Sequence, residues 1–77
     1  MTYKKFNEWC NIRACDGCWS AKTAMFCIEI VRIVKQQPFW KREKTWQKLN
    51  AEYSIEEIVI KPINQKITEM YGVKMDG

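Results

Sequence analysis

Apolar residues in the first segment recur at three- and four-residue steps: Tyr3, Phe6, Cys10 and Ala14. That spacing places side chains on one face of an α-helix. Thr2 is positioned to cap such a helix, and Asp16-Gly17 to stop it. Ser20 can cap a second element, from Ala21 to Gln37. There the polar residues Lys22, Glu29, Arg32 and Gln36 fall on one stripe, and Ala24, Cys27, Ile28, Val31 and Val34 occupy another side. The run Cys27–Val34 is rich in β-branched residues and has strand character, but the polar stripe favours a helix with a broad buried face.

Pro38 ends that element and is suited to open the next at its first turn. Phe39, Trp46, Leu49 and Tyr53 then form a helical stripe, with Lys41, Arg42, Lys44 and Lys48 mostly off it. Ser54-Ile55-Glu56-Glu57 has the capping-box form, a hydroxyl followed three residues on by a carboxylate. Ile55, Ile58 and Val59 make an apolar turn that Pro62 must kink or stop. Ile63, Ile67, Met70 and Tyr71 form a last stripe, ended by Gly72. The expected fold is mainly α: a compact bundle of three to five short helices forming one domain over residues 1–77. Residues 1–37 carry a cysteine cluster and a long apolar helix, and residues 38–77 a basic aromatic helix and the C-terminal helices. The alternative is α+β, with a short strand near Ile58–Ile60.

Size changes this picture first. A chain of 77 residues buries only roughly 60–65% of the surface its unfolded form exposes, which leaves a small core in need of a staple. A 47% hydrophobic fraction argues against intrinsic disorder. Histidine is absent, so no serine–histidine or cysteine–histidine relay can be built, and the chain reads as a non-enzyme without a small-molecule substrate. The N-terminal segment lacks the apolar run of a secretory leader, and the stretch Ala24–Val34 is too short to span a bilayer. The expectation is a cytoplasmic protein with no membrane partner, where reducing conditions disfavour structural disulfides.

The four cysteines, Cys10, Cys15, Cys18 and Cys27, all lie in the N-terminal half. Cys15 and Cys18 form a Cys-x2-Cys pair around Gly17, a form that lets two sulfurs turn inward as a metal knuckle. Cys10 and Cys27 flank it from the two neighbouring helices. Without histidine, four thiolates are the available soft-ligand set, and one structural zinc is the expected occupant. The same cysteines also read as small buried hydrophobes or, for Cys15 and Cys18, as a redox pair. Trp9 and Trp19 flank the cluster and are expected to shield it.

Charge is localised. Residues 35–48 hold Lys35, Lys41, Arg42, Lys44 and Lys48 against Glu43 alone, matching the net +4 of the whole chain. Trp40 and Trp46 sit among these cations; Trp46 belongs to the apolar stripe and is expected in the core, whereas Trp40 lies off it and is expected at the surface. Trp40, Lys41, Arg42, Lys44 and Lys48 are therefore the candidate partner-binding residues. Basic side chains beside an exposed ring suit a protein partner or, as a second choice, nucleic acid.

The runs Arg13-Ala14-Cys15-Asp16-Gly17-Cys18-Trp19 and Phe39-Trp40-Lys41-Arg42-Glu43-Lys44-Thr45-Trp46 resemble those of small proteins encoded by phages and prophages of low-GC Gram-positive bacteria. In size, Lys/Ile/Asn bias and cysteine clustering the chain is similar to zinc-containing anti-CRISPR proteins directed at type II effectors. The two runs cover about a fifth of the chain. The resemblance implies a non-enzymatic inhibitor in the bacterial host cytosol, with a structural zinc on the cysteines. It would bind an RNA-guided effector nuclease and block target DNA loading or cleavage. A chain of net charge +4 cannot act as a DNA mimic, so the implied contact is with a protein lobe.

Overall fold

Thr2 and Ser20 start the first two helices, and Gly17 and Gly72 end the first and the last, in the computed structural model, which describes residues 1–72. Four α-helices follow in order: α1 (Tyr3–Asp16), α2 (Ala21–Lys35), α3 (Phe39–Tyr53) and α4 (Lys61–Tyr71), with a π-helical turn at Glu56–Ile60 leading into α4. No strand occurs among the described residues. The expected mainly α bundle is therefore present, and the alternative strand near Ile58–Ile60 is replaced by the π turn. The end of the expected domain, residues 73–77, lies outside the described residues, as does the side chain of Tyr71.

The caps act as their chemistry dictates. The Thr2 hydroxyl accepts from the Lys5 N–H at 3.2 Å, and the Ser20 hydroxyl from the Thr23 N–H at 3.2 Å. Each satisfies one of the donors a helix start leaves open. Gly17 closes α1 at φ +67°, with its N–H bonded to the Arg13 carbonyl at 2.8 Å. A side chain is strained in that left-handed conformation, which accounts for glycine here. Because no acidic residue occupies the first turn of α1, Glu43 of α3 supplies one: its Oε1 accepts from the Tyr3 N–H at 2.9 Å.

Pro62 falls in the first turn of α4, where its missing N–H is tolerated. Its ring would still crowd the carbonyl four residues back in a regular helix. The preceding π turn, in which the Lys61 N–H reaches the Glu56 carbonyl, widens the backbone at that place. Pro62 is thus accommodated by a wider turn instead of a stop. The capping box expected at Ser54 does not form. Ser54 ends α3 in the left-handed region at φ 51°, and Asn50 takes over the capping task by accepting from the Glu56 N–H at 3.0 Å.

The core forms where α1, α2 and α3 meet and where the π turn covers them. Phe6, Trp9, Cys10, Cys27, Ile30, Val34, Trp46, Ile55 and Ile60 are all buried in one cluster. At its centre Phe6 stacks on Trp46, with ring centroids 4.2 Å apart and planes 19° from parallel. The Trp46 indole N–H donates to the Met1 carbonyl at 2.8 Å, so the ring is buried without an unpaired donor. Several expectations about faces need correcting, and Tyr53, Ile58 and Met70, each placed on an apolar stripe or turn, are exposed. Ile28, expected inside, is exposed, and Ile30 is buried in its place. The second helix is apolar on most of its circumference, so periodicity alone could not select the Cys27–Ile30–Val34 stripe. Phe39, the first residue of α3, is also exposed.

Candidate functional site

The last turn of α1 runs through Asp16, and this determines where the cysteines go. Cys15 sits inside the helix, exposed beside Asn11 and Ile12, while Cys18 lies past Gly17 with its thiol directed to the Asp16 carbonyl at 3.8 Å. Asp16 organises this turn. Its Oδ1 accepts from the Cys18 N–H at 2.9 Å, and its Oδ2 pairs with Arg13 at 2.8 Å. Arg13 is itself buried, packed over the Trp9 ring at 5.7 Å. Its Nε and Nη1 have no hydrogen-bond partner.

Cys10 of α1 and Cys27 of α2 are both buried and belong to the same core cluster. Their mutual interaction pushes the ionisation of Cys10 up and pulls that of Cys27 down, while burial raises both. Cys15, by contrast, is exposed and Cys18 half-buried. Among the described residues no group of three or more cysteine, aspartate or glutamate side chains stands where it could hold a metal ion. The zinc expected on Cys10, Cys15, Cys18 and Cys27 is therefore unconfirmed by this arrangement. Trp9, expected as a shield for that cluster, donates its indole N–H to Asn64 of α4 at 2.8 Å, and Trp19 packs edge-on against it at 5.8 Å.

The basic segment separates into two roles. Trp40 is 69% exposed and Phe39 76%, and the two rings meet edge to face at 5.3 Å and 83°. Lys41, Lys44 and Lys48 are exposed at steps of three and four, forming a ridge of roughly 10 Å along α3. None of the three makes a salt bridge among the described residues. Arg42 is turned inward. Its Nε donates to the Gln37 carbonyl at 3.1 Å and its Nη2 to the Lys35 carbonyl at 3.1 Å, satisfying carbonyls at the end of α2. It holds the turn that presents Phe39 and Trp40, and it is not itself presented. Phe39 was missed by the sequence reading; its position directly after Pro38, at the helix start, was the available signal.

A groove of about 550 Å³ runs between the α1–α2 connection and α4, lined by Cys18, Trp19, Thr23, Ile63, Lys66 and Met70 among others. No helix among the described residues is long and apolar enough to cross a membrane. Comparison of the chain with protein-family models, with curated proteins and with solved structures found no match.

Proposed function

We propose that this chain is a non-enzymatic binding protein that docks on a larger macromolecule through the Phe39–Trp40 end of α3 and the adjoining Lys41–Lys44–Lys48 ridge. The observation that carries this reading is the pair of aromatic rings held at the surface in mutual contact. Large exposed aromatics flanked by cations have the composition of an interface hot spot. The scaffold supports the role, because Arg42 pins the turn beneath the rings before any partner arrives, and a preformed contact surface loses less entropy on binding.

The partner we favour is the one implied by the resemblance to anti-CRISPR proteins: a type II effector nuclease in the bacterial cytosol, held so that target DNA loading or cleavage is blocked. Adding the purified chain to a guide-loaded effector and following target cleavage tests this. Cleavage should fall in proportion to the chain added and stop near equal stoichiometry; undiminished cleavage at excess across several type II effectors rejects the nuclease as partner.

A second reading rests on the lysine ridge beside Trp40: a nucleic-acid-binding regulator in which the lysines meet phosphates and the indole stacks on a base. It requires affinity for DNA or RNA that falls steeply with added salt and drops further in Lys41→Glu/Lys44→Glu. Nucleic-acid binding unaffected by that double change rejects this second reading.

A further inference from the structure

We propose that the outer face of α2, running from Met25 through Ile28 and Arg32 to Lys35, docks an acidic amphipathic helix of a protein partner. This inference stands on residues other than the Phe39–Trp40 end and does not depend on the nuclease as partner. Met25, Ile28, Arg32 and Lys35 follow one another at three- and four-residue steps, so they share one side of the helix. That side lies opposite the buried Cys27, Ile30 and Val34. Met25 is 73% exposed and Ile28 52%, two large apolar side chains one turn apart in water. Ile28, Val31, Arg32, Lys35 and Gln36 line a shallow depression of about 370 Å³. From Met25 to Lys35 the face spans roughly 15 Å, the length of about three helical turns.

Charge decides what covers this face. Glu29 is the only acidic residue of α2, and it pairs with Arg32 at 3.4 Å, both side chains exposed. An exposed pair of that kind contributes little, so a partner carboxylate displaces Glu29 at little cost. Lys35 makes no salt bridge among the described residues. An apolar stretch that ends in two cations therefore matches a segment bringing apolar side chains and carboxylates on one helical face. A nucleic acid fits less well, because Met25 and Ile28 offer phosphates no charge and bases no ring to stack on. A second copy of this chain also fits less well: it carries the same cations and supplies only Glu29 against them.

The test follows the amide resonances of the isotope-labelled chain by NMR as a synthetic peptide is added. The peptide is a helix of about three turns, with leucines at three- and four-residue steps and glutamates elsewhere. Its controls are the same peptide with lysine for every glutamate, and a short DNA duplex. Saturable shifts at the α2 amides are expected with the acidic peptide. Met25→Ser/Ile28→Ser and Arg32→Glu/Lys35→Glu should each weaken that binding by at least roughly tenfold, with resonances outside α2 unchanged as the sign of an intact fold. Phe39→Ala/Trp40→Ala should bind the peptide like wild type, which separates this face from the aromatic end. The proposal is overturned if the acidic peptide gives no saturable shift, if its shifts centre on Phe39 and Trp40, or if either α2 variant binds like wild type. It is equally overturned if the lysine peptide or the DNA binds α2 as well as the acidic peptide does, or if the α2 amides shift with the chain's own concentration, the sign of a second copy.

Discussion

Trp9 of α1 donates its indole N–H to the Oδ1 of Asn64 in α4 at 2.8 Å, with both residues buried. The bond ties the first helix to the last, in the part of the molecule where the spacing of the cysteines predicted a metal. Trp9→Phe keeps most of the ring and leaves the Asn64 oxygen without this donor. The expected loss is about 1–3 kcal/mol, read as a drop of several degrees in melting temperature by circular dichroism. Asn64→Leu in the Trp9→Phe background should recover part of that loss, because no polar partner is then left buried.

Asp16 holds both the Arg13 guanidinium and the Cys18 N–H. Asp16→Ala removes both contacts and strips Arg13, already short of acceptors, of its one salt-bridge partner among the described residues. A lower urea midpoint is expected, equivalent to about 1–3 kcal/mol. Asp16→Asn, which keeps an acceptor for the Cys18 N–H, should lie between the two.

Much of this architecture was legible along the chain. Thr2, Ser20, Gly17 and Gly72 mark helix ends because capping is a local interaction between a side chain or a left-handed residue and its own neighbours. Trp46 inside and Trp40 outside followed from their places relative to the apolar stripe. What was not legible depends on contacts distant in sequence. Asn50 outcompetes Ser54 for the donor at the start of the π turn, and spacing does not reveal that competition. Arg42 reads as a surface cation until the carbonyls of Lys35 and Gln37 are seen to converge on it. The spacing of Cys15 and Cys18 around Gly17 does not reveal that Cys15 stays within the last turn of α1, on its exposed side.

Chelation bears directly on that last point. The core closes around Phe6 and Trp46 and includes Cys10 and Cys27, whereas Cys15 is exposed and Cys18 half-buried. Dialysis against a strong chelator tests the expected zinc: an unchanged helical spectrum and a melting temperature within roughly 2 °C would show that the core folds without metal, since a structural zinc makes folding itself metal-dependent. Close to one zinc per chain in the purified protein, together with unfolding on its removal, would show that the cysteines gather around a metal in another arrangement.

Glu56 gives the fold an acid-sensitive contact. Its Oε1 lies 2.8 Å from the Met1 amino group. Hydrogen bonding to that amino group holds the carboxyl below its ordinary value of 4.5, against the opposing effect of burial, with Asn50 adding a further bond. A carboxyl whose folded value is depressed contributes stability above its unfolded value, and that contribution is lost as pH falls through the folded value. Wild type should lose melting temperature from about pH 4.5 downward. Glu56→Gln should start lower at neutral pH and show a shallower decline across that window. Parallel curves for the two proteins would rule out this pair as a source of the acid sensitivity.

The two tryptophans of α3 separate stability from binding. Trp46→Ala removes a fully buried ring stacked on Phe6, at an expected cost of about 3–5 kcal/mol. That is a large share of what a domain of this size possesses. Trp40→Ala removes a ring that is 69% exposed and should change stability by no more than about 0.5 kcal/mol. Urea unfolding of both variants gives the comparison, and it establishes that Trp40 variants are folded before any binding assay is interpreted.

The most direct test of the account titrates wild type and Phe39→Ala/Trp40→Ala into a guide-loaded type II effector nuclease while target cleavage is followed. The account predicts stoichiometric inhibition by wild type and inhibition weakened by at least roughly tenfold in the folded double variant, the loss expected when hot-spot aromatics are truncated. Undiminished cleavage with wild type, or equal inhibition by the two proteins, would contradict it.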